Sequence, residues 1–182
     1  MSPAATAETK QDKRVTLVLG GARSGKSRYA EGLITALPPP WIYVATADAG
    51  DAEMAQRIAQ HRARREHGWQ TLETQHDLAR AFAALPENAP LLVDCLTLWL
   101  SNRMLANAEI GRDIDALDAA LDRRASNVVL VSNEVGCSIV PENALARRFR
   151  DLQGRLNQHL AARAQTVVLM VAGLPLTVKD SQ

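Results

Sequence analysis

The chain has 182 residues, of which 47% are hydrophobic and 23% are charged, which suits one domain of ordinary size with a sizeable core. Its formal net charge of +1 excludes a general electrostatic attraction to nucleic acid or to an acidic membrane surface. No apolar run approaches the roughly 20 residues that a helix needs to span a bilayer, so no membrane span is predicted.

Residues 1–14 are predicted to form a flexible N-terminal tail, ahead of a single domain over 15–182. The tail is rich in Ala, Thr, Lys and Asp and lacks the apolar segment of a signal peptide. Cys95 and Cys137 lie in unrelated contexts without metal-ligand spacing. We therefore expect reduced thiols and a cytoplasmic protein.

Apolar runs typical of strands alternate along the domain with amphipathic runs typical of helices. This pattern predicts an α/β fold, a mostly parallel sheet with helices on both faces. The candidate strands are 15–20, 41–46, 90–94, 127–132 and 166–172. Two later helices are predicted from stripes of core residues, Ile110, Ile114, Leu117 and Leu121 in one and Leu145, Phe149, Leu152, Leu156 and Leu160 in the other.

A phosphate-binding motif directly follows the first candidate strand. It consists of Gly20, Gly21, Ala22, Arg23, Ser24, Gly25, Lys26 and Ser27. Small residues let successive backbone N–H groups turn inward around phosphate oxygens, the Lys26 ammonium reaches the outer phosphates, and the Ser27 hydroxyl can ligate Mg²⁺. The helix predicted to begin there adds its positive dipole end. The motif predicts a site for a nucleoside triphosphate.

A carboxylate ends the third candidate strand, which runs from Pro90 to Asp94. A buried strand that ends in an acid is typical of the Walker B element of such sites, so Asp94 is predicted to bind Mg²⁺ together with Ser27. The alternative is that Asp94 caps a helix that begins near Leu96. The phosphate-binding motif upstream favours the metal role.

A basic segment over residues 51–65 follows the second candidate strand and has helical periodicity. One face carries Met54, Ile58, His61 and Arg65. The neighbouring arginines disfavour a protonated imidazole, so His61 is expected to stay neutral and nucleophilic while the arginines hold a triphosphate. The alternative is a helix whose basic end meets its own macrodipole, with His61 as an ordinary boundary residue.

Several motifs recur together in one enzyme family. Besides the phosphate-binding motif they are residues 43–47, Glu53-Met54, Arg57-Ile58, His61-Arg62, Trp69, residues 132–136 and 139–143, Arg147, residues 149–151, Gly154 and Asn157-Gln158. Over residues 15–178 the sequence resembles the bifunctional adenosylcobinamide kinase/adenosylcobinamide-phosphate guanylyltransferases of cobalamin biosynthesis. The combination is far more specific than the phosphate-binding motif alone.

The resemblance implies a P-loop NTPase fold similar to RecA, and two reactions. In the first, a nucleoside triphosphate phosphorylates the hydroxyl on the aminopropanol arm of adenosylcobinamide. In the second, GMP passes from GTP to adenosylcobinamide phosphate and pyrophosphate leaves. The expected ligands are GTP, ATP and Mg²⁺, with the donor of the kinase step left open, and the expected assembly is a homotrimer.

The family's functional residues can be carried over by position. His61 matches the histidine that becomes guanylylated, and its attack on the α-phosphate would give a phosphoramidate while Lys26 and Mg²⁺ stabilise the departing pyrophosphate. The positions that correspond to nucleotide contacts are Gly20 to Ser27, Ala45, Thr46, Ala47, Arg62, Ala63, Arg64, Arg65, Glu73 and Asp94.

Some residues outside these positions stay open or are expected to be structural. Ser138 stands where many family members carry glycine, and we expect it to stiffen its loop without abolishing function. For Glu134 and Glu142 a substrate-facing role, helix capping and solvent exposure all remain possible. His67, His76 and His159 are expected at the surface or its boundary, and Trp41, Trp69 and Trp99 in the core rather than against the corrinoid.

Two other functions compete with this interpretation. One is a different small P-loop kinase in which the arginine-rich helix closes over phosphates and His61 is incidental. The other is a nucleotide-regulated assembly module that binds GTP as a switch. The chain lacks an Asn-Lys-x-Asp motif for reading guanine, which argues against an ordinary GTPase.

Overall fold

A seven-stranded sheet forms the centre of the protein in the computed structural model, which describes residues 13–47, 56 and 67–181. The strands are β1 Val15–Gly20, β2 Trp41–Ala45, β3 Trp69–Glu73, β4 Leu91–Asp94, β5 Val128–Asn133, β6 Thr166–Val171 and β7 Leu174–Asp180. Their order is β3-β2-β4-β5-β1-β6-β7. Neighbours are parallel, except that β7 runs antiparallel to β6.

Five helices join these strands in the described part of the chain. They are α1 Lys26–Thr35, α2 Leu78–Ala83, α3 Leu96–Leu105, α4 Ile110–Asp122 and α5 Ala144–Arg163. None of them is long and apolar enough to cross a membrane. The predicted α/β class, with a mostly parallel sheet, is confirmed.

The sheet is covered on both faces, because alternate residues of each strand point to opposite sides. In β1, Val18 packs with Ala30 and Ile34 of α1. Its neighbour Leu17 belongs to the core on the other face, which includes Leu156 of α5 and also receives side chains from α2, α3 and α4. The two faces therefore have separate apolar layers, and the first is covered mainly by α1, with Leu98 of α3 packed against it.

All five candidate strands are present, each with ends within one residue of the prediction. The sequence analysis missed β3 and β7, which lie at the two edges of the sheet. An edge strand needs no continuous apolar run: three of the five residues of β3 are exposed, and β7 contains Pro175, which a central strand would not accommodate. Their weak apolar signal is a consequence of that position.

One predicted core residue proves to be exposed. Leu145, at the start of the α5 stripe, is 50% exposed, while the buried residues of this helix are Gln153, Leu156, Asn157 and Leu160. The first turns of α5 follow an exposed loop and precede the part that packs on the sheet, so a side chain there does not reach the core. The later residues of the stripe, and the α4 stripe, pack as predicted.

Residues 13 and 14, the last two of the predicted tail, are hydrogen-bonded to the domain. The Lys13 ammonium donates to the carbonyl of Leu121 at 2.6 Å, and the backbone N–H of Arg14 donates to Asn127 Oδ1 at 3.0 Å. Of the predicted tail, residues 1–12 lie outside the described residues.

Candidate nucleotide-binding site

The carboxyl ends of the parallel strands meet at one edge of the sheet, where ligands of such folds usually bind. The phosphate-binding motif follows β1, and Asp94 ends β4. Asp94 lies level with Ala45 at the end of β2, and Ala45 lies level with Glu73 at the end of β3. Residues predicted from four separate parts of the sequence are thus brought to the same edge.

Two glycines give the phosphate-binding loop, residues 20–27, its path. Gly20 has a φ of 151°, and a Cβ atom there would lie 2.7 Å from both the Met170 carbonyl oxygen and Ser24 Oγ. Gly25 has a φ of 94° and is the N-cap of α1, with no side chain that caps the helix. The first N–H groups of α1 are therefore left for a ligand, which favours an anion at this end.

Polar groups are buried inside this loop. Lys26 is 8% exposed, and its Nζ donates to the carbonyl of Gly21 at 2.6 Å. Ser24 is 9% exposed, and its Oγ has no hydrogen-bond partner among the described residues. Because a buried hydroxyl without a partner is costly, Ser24 is suited to hydrogen-bond a phosphate oxygen brought into the loop.

The turn between β6 and β7 supports the loop from behind. The backbone N–H of Gly173 donates to the carbonyl of Ser24 at 3.1 Å, and a Cβ atom at Gly25 would lie 3.4 Å from Gly173 Cα. The sequence analysis did not foresee this contact, since it ended the last strand at residue 172 and did not predict the hairpin. Tight packing here restricts the loop before any ligand binds.

Asp94 faces the same side of the sheet as α1. It lies two residues after Leu92, which packs in the α1 layer, and its Oδ2 accepts a hydrogen bond from the Tyr43 hydroxyl at 2.9 Å. The capping alternative is not observed, because the N-cap of α3 is Cys95 and no side chain caps that helix. Asp94 is therefore placed for a role at the sheet edge.

The donor set on this side fits a hard divalent cation. Magnesium prefers oxygen ligands, and Ser27 and Asp94 offer a hydroxyl and a carboxylate, both half-buried. Among the described residues only Tyr43 hydrogen-bonds the Asp94 carboxylate, so Oδ1 is available to a ligand. These two residues could hold Mg²⁺.

Thr46 fixes the segment after β2 against the end of β4. Its hydroxyl donates to the Cys95 carbonyl at 2.6 Å and accepts from the Cys95 N–H at 2.8 Å, and its own carbonyl accepts from Asn102 at 3.1 Å.

Burial, followed by the charge of Asp94, raises the pKa of the Cys95 thiol to about 11. Cys95 is therefore a neutral structural thiol at physiological pH.

A buried polar cluster, Ser132, Gln153 and Asn157, lies under the same edge on the α5 side. Ser132 Oγ donates to Asn157 Oδ1 at 2.7 Å, and Gln153 Nε2 donates to both of the others, at 2.8 and 3.0 Å. Asn157 Nδ2 then donates to the carbonyl of Asn133 at 3.0 Å. The sequence analysis missed the cluster, although two polar residues four apart beside an apolar stripe were a usable signal.

The structure brings together part of the predicted site. Gly20 to Ser27, Ala45, Thr46, Ala47 and Asp94 share one sheet edge, and Glu73 stands exposed at the end of the outermost strand there. The predicted residues His61, Arg62, Ala63, Arg64 and Arg65 lie outside the described residues.

The other open side chains are also placed. Glu134 Oε1 accepts from the Gly136 N–H at 2.6 Å, so it braces its own loop, whereas Glu142 is exposed. His159 lies 2.8 Å from Asp118 Oδ2 at the surface boundary, as predicted. Trp99 is buried in the core, also as predicted.

Comparison with known proteins identifies close relatives. The family described as cobinamide kinase / cobinamide phosphate guanyltransferase matches residues 16–178. The bifunctional adenosylcobalamin biosynthesis protein CobP of Pseudomonas aeruginosa is 46% identical, over 90% of this chain and 96% of its own length. The bifunctional protein CobU of Salmonella typhimurium is 43% identical, over 90% and 98%. CobU of Escherichia coli is 42% identical over the same shares.

Solved structures share the fold at much lower sequence identity. The flagellar accessory protein FlaH of Methanocaldococcus jannaschii has a TM-score of 0.52 at 11% identity, over 93% of this chain and 80% of that one. A Pyrococcus horikoshii protein, PH0250, has a TM-score of 0.57 at 11% identity, over 94% and 89%. These likenesses bear on the fold alone.

Proposed function

Because the chain belongs to the family of bifunctional enzymes described as cobinamide kinase / cobinamide phosphate guanyltransferase, we propose that it catalyses both reactions of that family and forms a histidine–GMP intermediate. It phosphorylates adenosylcobinamide with a nucleoside triphosphate, then transfers GMP from GTP to adenosylcobinamide phosphate. The observation that carries the proposal is the phosphate-binding loop, where Lys26 is buried and Ser24 Oγ has no partner among the described residues.

In the kinase step the hydroxyl oxygen of adenosylcobinamide attacks the γ-phosphorus of the triphosphate. The bond from that phosphorus to the β-phosphate oxygen breaks, the nucleoside diphosphate leaves, and the hydroxyl proton passes to solvent. Lys26 and the N–H groups of the loop and of α1 hold the phosphates in line and offset the charge on the leaving oxygen. Magnesium held by Ser27 and Asp94 would neutralise further phosphate charge.

In the guanylyl step a ring nitrogen of His61 attacks the α-phosphorus of GTP. An N–P bond forms, the bond between the α-phosphorus and its bridging oxygen breaks, and pyrophosphate leaves beside Lys26. A phosphate oxygen of adenosylcobinamide phosphate then attacks the same phosphorus and the N–P bond breaks. The electron pair returns to the imidazole, which is ready for the next GTP.

Two observations support this role for His61. The family match spans residues 16–178 and so includes position 61. Arg62, Arg64 and Arg65 follow it directly in the sequence, and such arginines favour a neutral imidazole and bind phosphate oxygens.

The test of the covalent intermediate is retention of α-phosphate label. The protein is incubated with Mg²⁺ and GTP labelled at the α-phosphate, beside His61→Ala. The matched control is His67→Ala, because His67 is an exposed histidine close to His61 in the sequence. We expect label that survives denaturation, is labile to acid and stable to base, persists in the control and is absent from His61→Ala. Absence of label from protein that binds GTP would leave a P-loop kinase without covalent chemistry.

The proposal also covers the compartment, the oligomeric state and the ligands of the enzyme. We infer a cytoplasmic homotrimer that uses Mg²⁺ with ATP or GTP. Both cysteines are free, one buried and one exposed, in keeping with a reducing compartment. Sedimentation should give the mass of three chains, and a mass of one chain would contradict the trimer.

A further inference from the structure

Asn133 occupies a central place in the candidate site. It lies in the motif of residues 132–136, but the sequence analysis assigns it no role. It is the last residue of β5, the strand that lies between β1 and β4. It pairs in register with Gly20, the first residue of the phosphate-binding loop. Two residues earlier on β5, Val131 pairs with Asp94. Asn133 therefore stands between the loop and the carboxylate that could hold a cation.

The side chain of Asn133 faces the α1 side of the sheet. Val129 and Val131 pack in the α1 layer, and Ser132 bonds to residues of α5 on the opposite face. Since side chains alternate along a strand, Asn133 points to the same side as the valines. This is the side on which Asp94 and the start of α1 lie.

The backbone of Asn133 is held from both sides. Its N–H donates to Thr97 Oγ1 at 2.7 Å, and its carbonyl accepts from Asn157 Nδ2 at 3.0 Å. Asn157 is itself held in the buried polar cluster. The next residue, Glu134, donates its N–H to the carbonyl of Gly20 at 3.0 Å, so Asn133 and the loop are fixed relative to each other.

The side-chain amide of Asn133 contrasts with this fixed backbone. It is half-buried, and in the described part of the chain no group hydrogen-bonds it. Nothing in the fold requires an amide there, since the backbone bonds would form with any residue except proline. An amide donor carried on a fixed backbone beside a phosphate-binding loop suits recognition of a phosphate oxygen.

We propose that the Asn133 amide is a phosphate-contacting residue, whose Nδ2 donates to an oxygen of the outermost phosphate of the bound triphosphate. Thr97 and Asn157 act as its positioning residues. The inference rests on the proposed function only in requiring that a triphosphate binds in this loop. In the kinase step the contact holds the phosphoryl group that is transferred, and in the guanylyl step it holds the pyrophosphate that departs.

The contact predicts discrimination between triphosphate and diphosphate. Dissociation constants for the β,γ-imido analogue of GTP and for GDP are measured with Mg²⁺ by calorimetry, for the unsubstituted protein, Asn133→Ala and the control Asn88→Ala, an exposed residue in the loop before β4. Loss of a hydrogen bond to a charged group should weaken binding of the analogue about tenfold in Asn133→Ala and change GDP binding less than about twofold. The control should bind both nucleotides as the unsubstituted protein does.

The outcomes separate this inference from the proposed function. If the unsubstituted protein binds the analogue and Asn133→Ala binds it equally well, the inference is overturned and the proposed function stands. An equal loss for both nucleotides in Asn133→Ala also overturns it, because the contact would not be with the outermost phosphate. An unsubstituted protein that binds neither nucleotide overturns both.

Thr97 provides an independent test of the positioning. Thr97→Val keeps the shape but cannot accept the Asn133 N–H, whereas Thr97→Ser can. Affinity for the analogue should fall about threefold in Thr97→Val and return in Thr97→Ser, with GDP affinity unchanged in both. Equal analogue affinities in two variants that melt as cooperatively as the unsubstituted protein would contradict the positioning role.

Discussion

Two loops leave neighbouring strands at the same edge of the sheet and are held very differently. In the loop after β1, Ser24 and Lys26 are 9% and 8% exposed, and the β6–β7 turn packs behind it. In the loop after β5, residues 136–140 are all exposed, and the side chain of Ile139 is 93% exposed. Both loops contain motifs on which the family resemblance rests.

A shared motif therefore does not indicate how firmly its residues are held. Phosphate chemistry needs donors that are fixed before charge develops, and the first loop meets this need by packing against Met170 and Gly173. The second loop is held mainly at its ends, where the Gly136 N–H donates to Glu134 Oε1 at 2.6 Å and the Arg147 guanidinium donates to the Pro141 carbonyl at 2.9 Å. We expect substitutions in the first loop to cost activity and stability, and the second loop to behave as an accessible surface.

Removing the Lys26 ammonium should have the largest effect. Its Nζ is held over the loop by the Gly21 carbonyl, where it would meet the outer phosphates in both reactions. Lys26→Ala should lower kcat/KM of both reactions by about 100-fold or more, as removal of a preorganised electrostatic group commonly does. The control is Arg112→Ala, an exposed cation on α4, and steady-state assays with GTP compare them. Equal activity in the two variants would contradict a fixed, functional first loop.

Adding a methyl group at Gly20 tests how tightly that loop is packed. In Gly20→Ala the new Cβ would lie 2.7 Å from the Met170 carbonyl oxygen, at a φ of 151°. Such strain should lower the free energy of unfolding by about 1–3 kcal/mol. Gly32 of α1 is the matched control, since a Cβ there meets nothing within 4 Å, and Gly32→Ala should raise stability by about 0.5–1 kcal/mol.

Urea denaturation measures both changes. Gly20→Ala with unchanged stability would mean that the loop yields easily, and the contrast between the two loops would then fail.

The sequence predicts the local parts of this site and misses the parts made by distant contacts. The phosphate-binding loop and the end of β4 are recognisable because each lies in one short stretch, with an apolar strand and then the functional residue. Which strands lie side by side is decided by the whole sheet, so β5 between β1 and β4 could not be placed from any one stretch. Asn133 gained its position only from that strand order.

The buried polar cluster shows a second limit. Gln153 and Asn157 look like the polar face of α5, because sequence periodicity cannot distinguish a solvated amide from one that bonds a neighbouring strand. Their partners Ser132 and Asn133 lie more than 20 residues away. Only the meeting of helix and strand shows that these amides are bonded to the end of β5.

The reactivity of the two cysteine thiols compares the accessibility of the second loop with that of the end of β4, and it is the smallest of the expected effects. Cys137 is exposed in the second loop, while Cys95 is buried at the end of β4. Burial and the charge of Asp94 raise the pKa of Cys95 to about 11, so at pH 8 it is almost wholly an unreactive thiol. A chromogenic disulfide reagent at pH 8 should therefore modify one thiol per native chain and both after denaturation. Native Cys137→Ser should give no reaction, whereas prompt reaction of this variant would show that the end of β4 opens as readily as the second loop and that the two are not held differently.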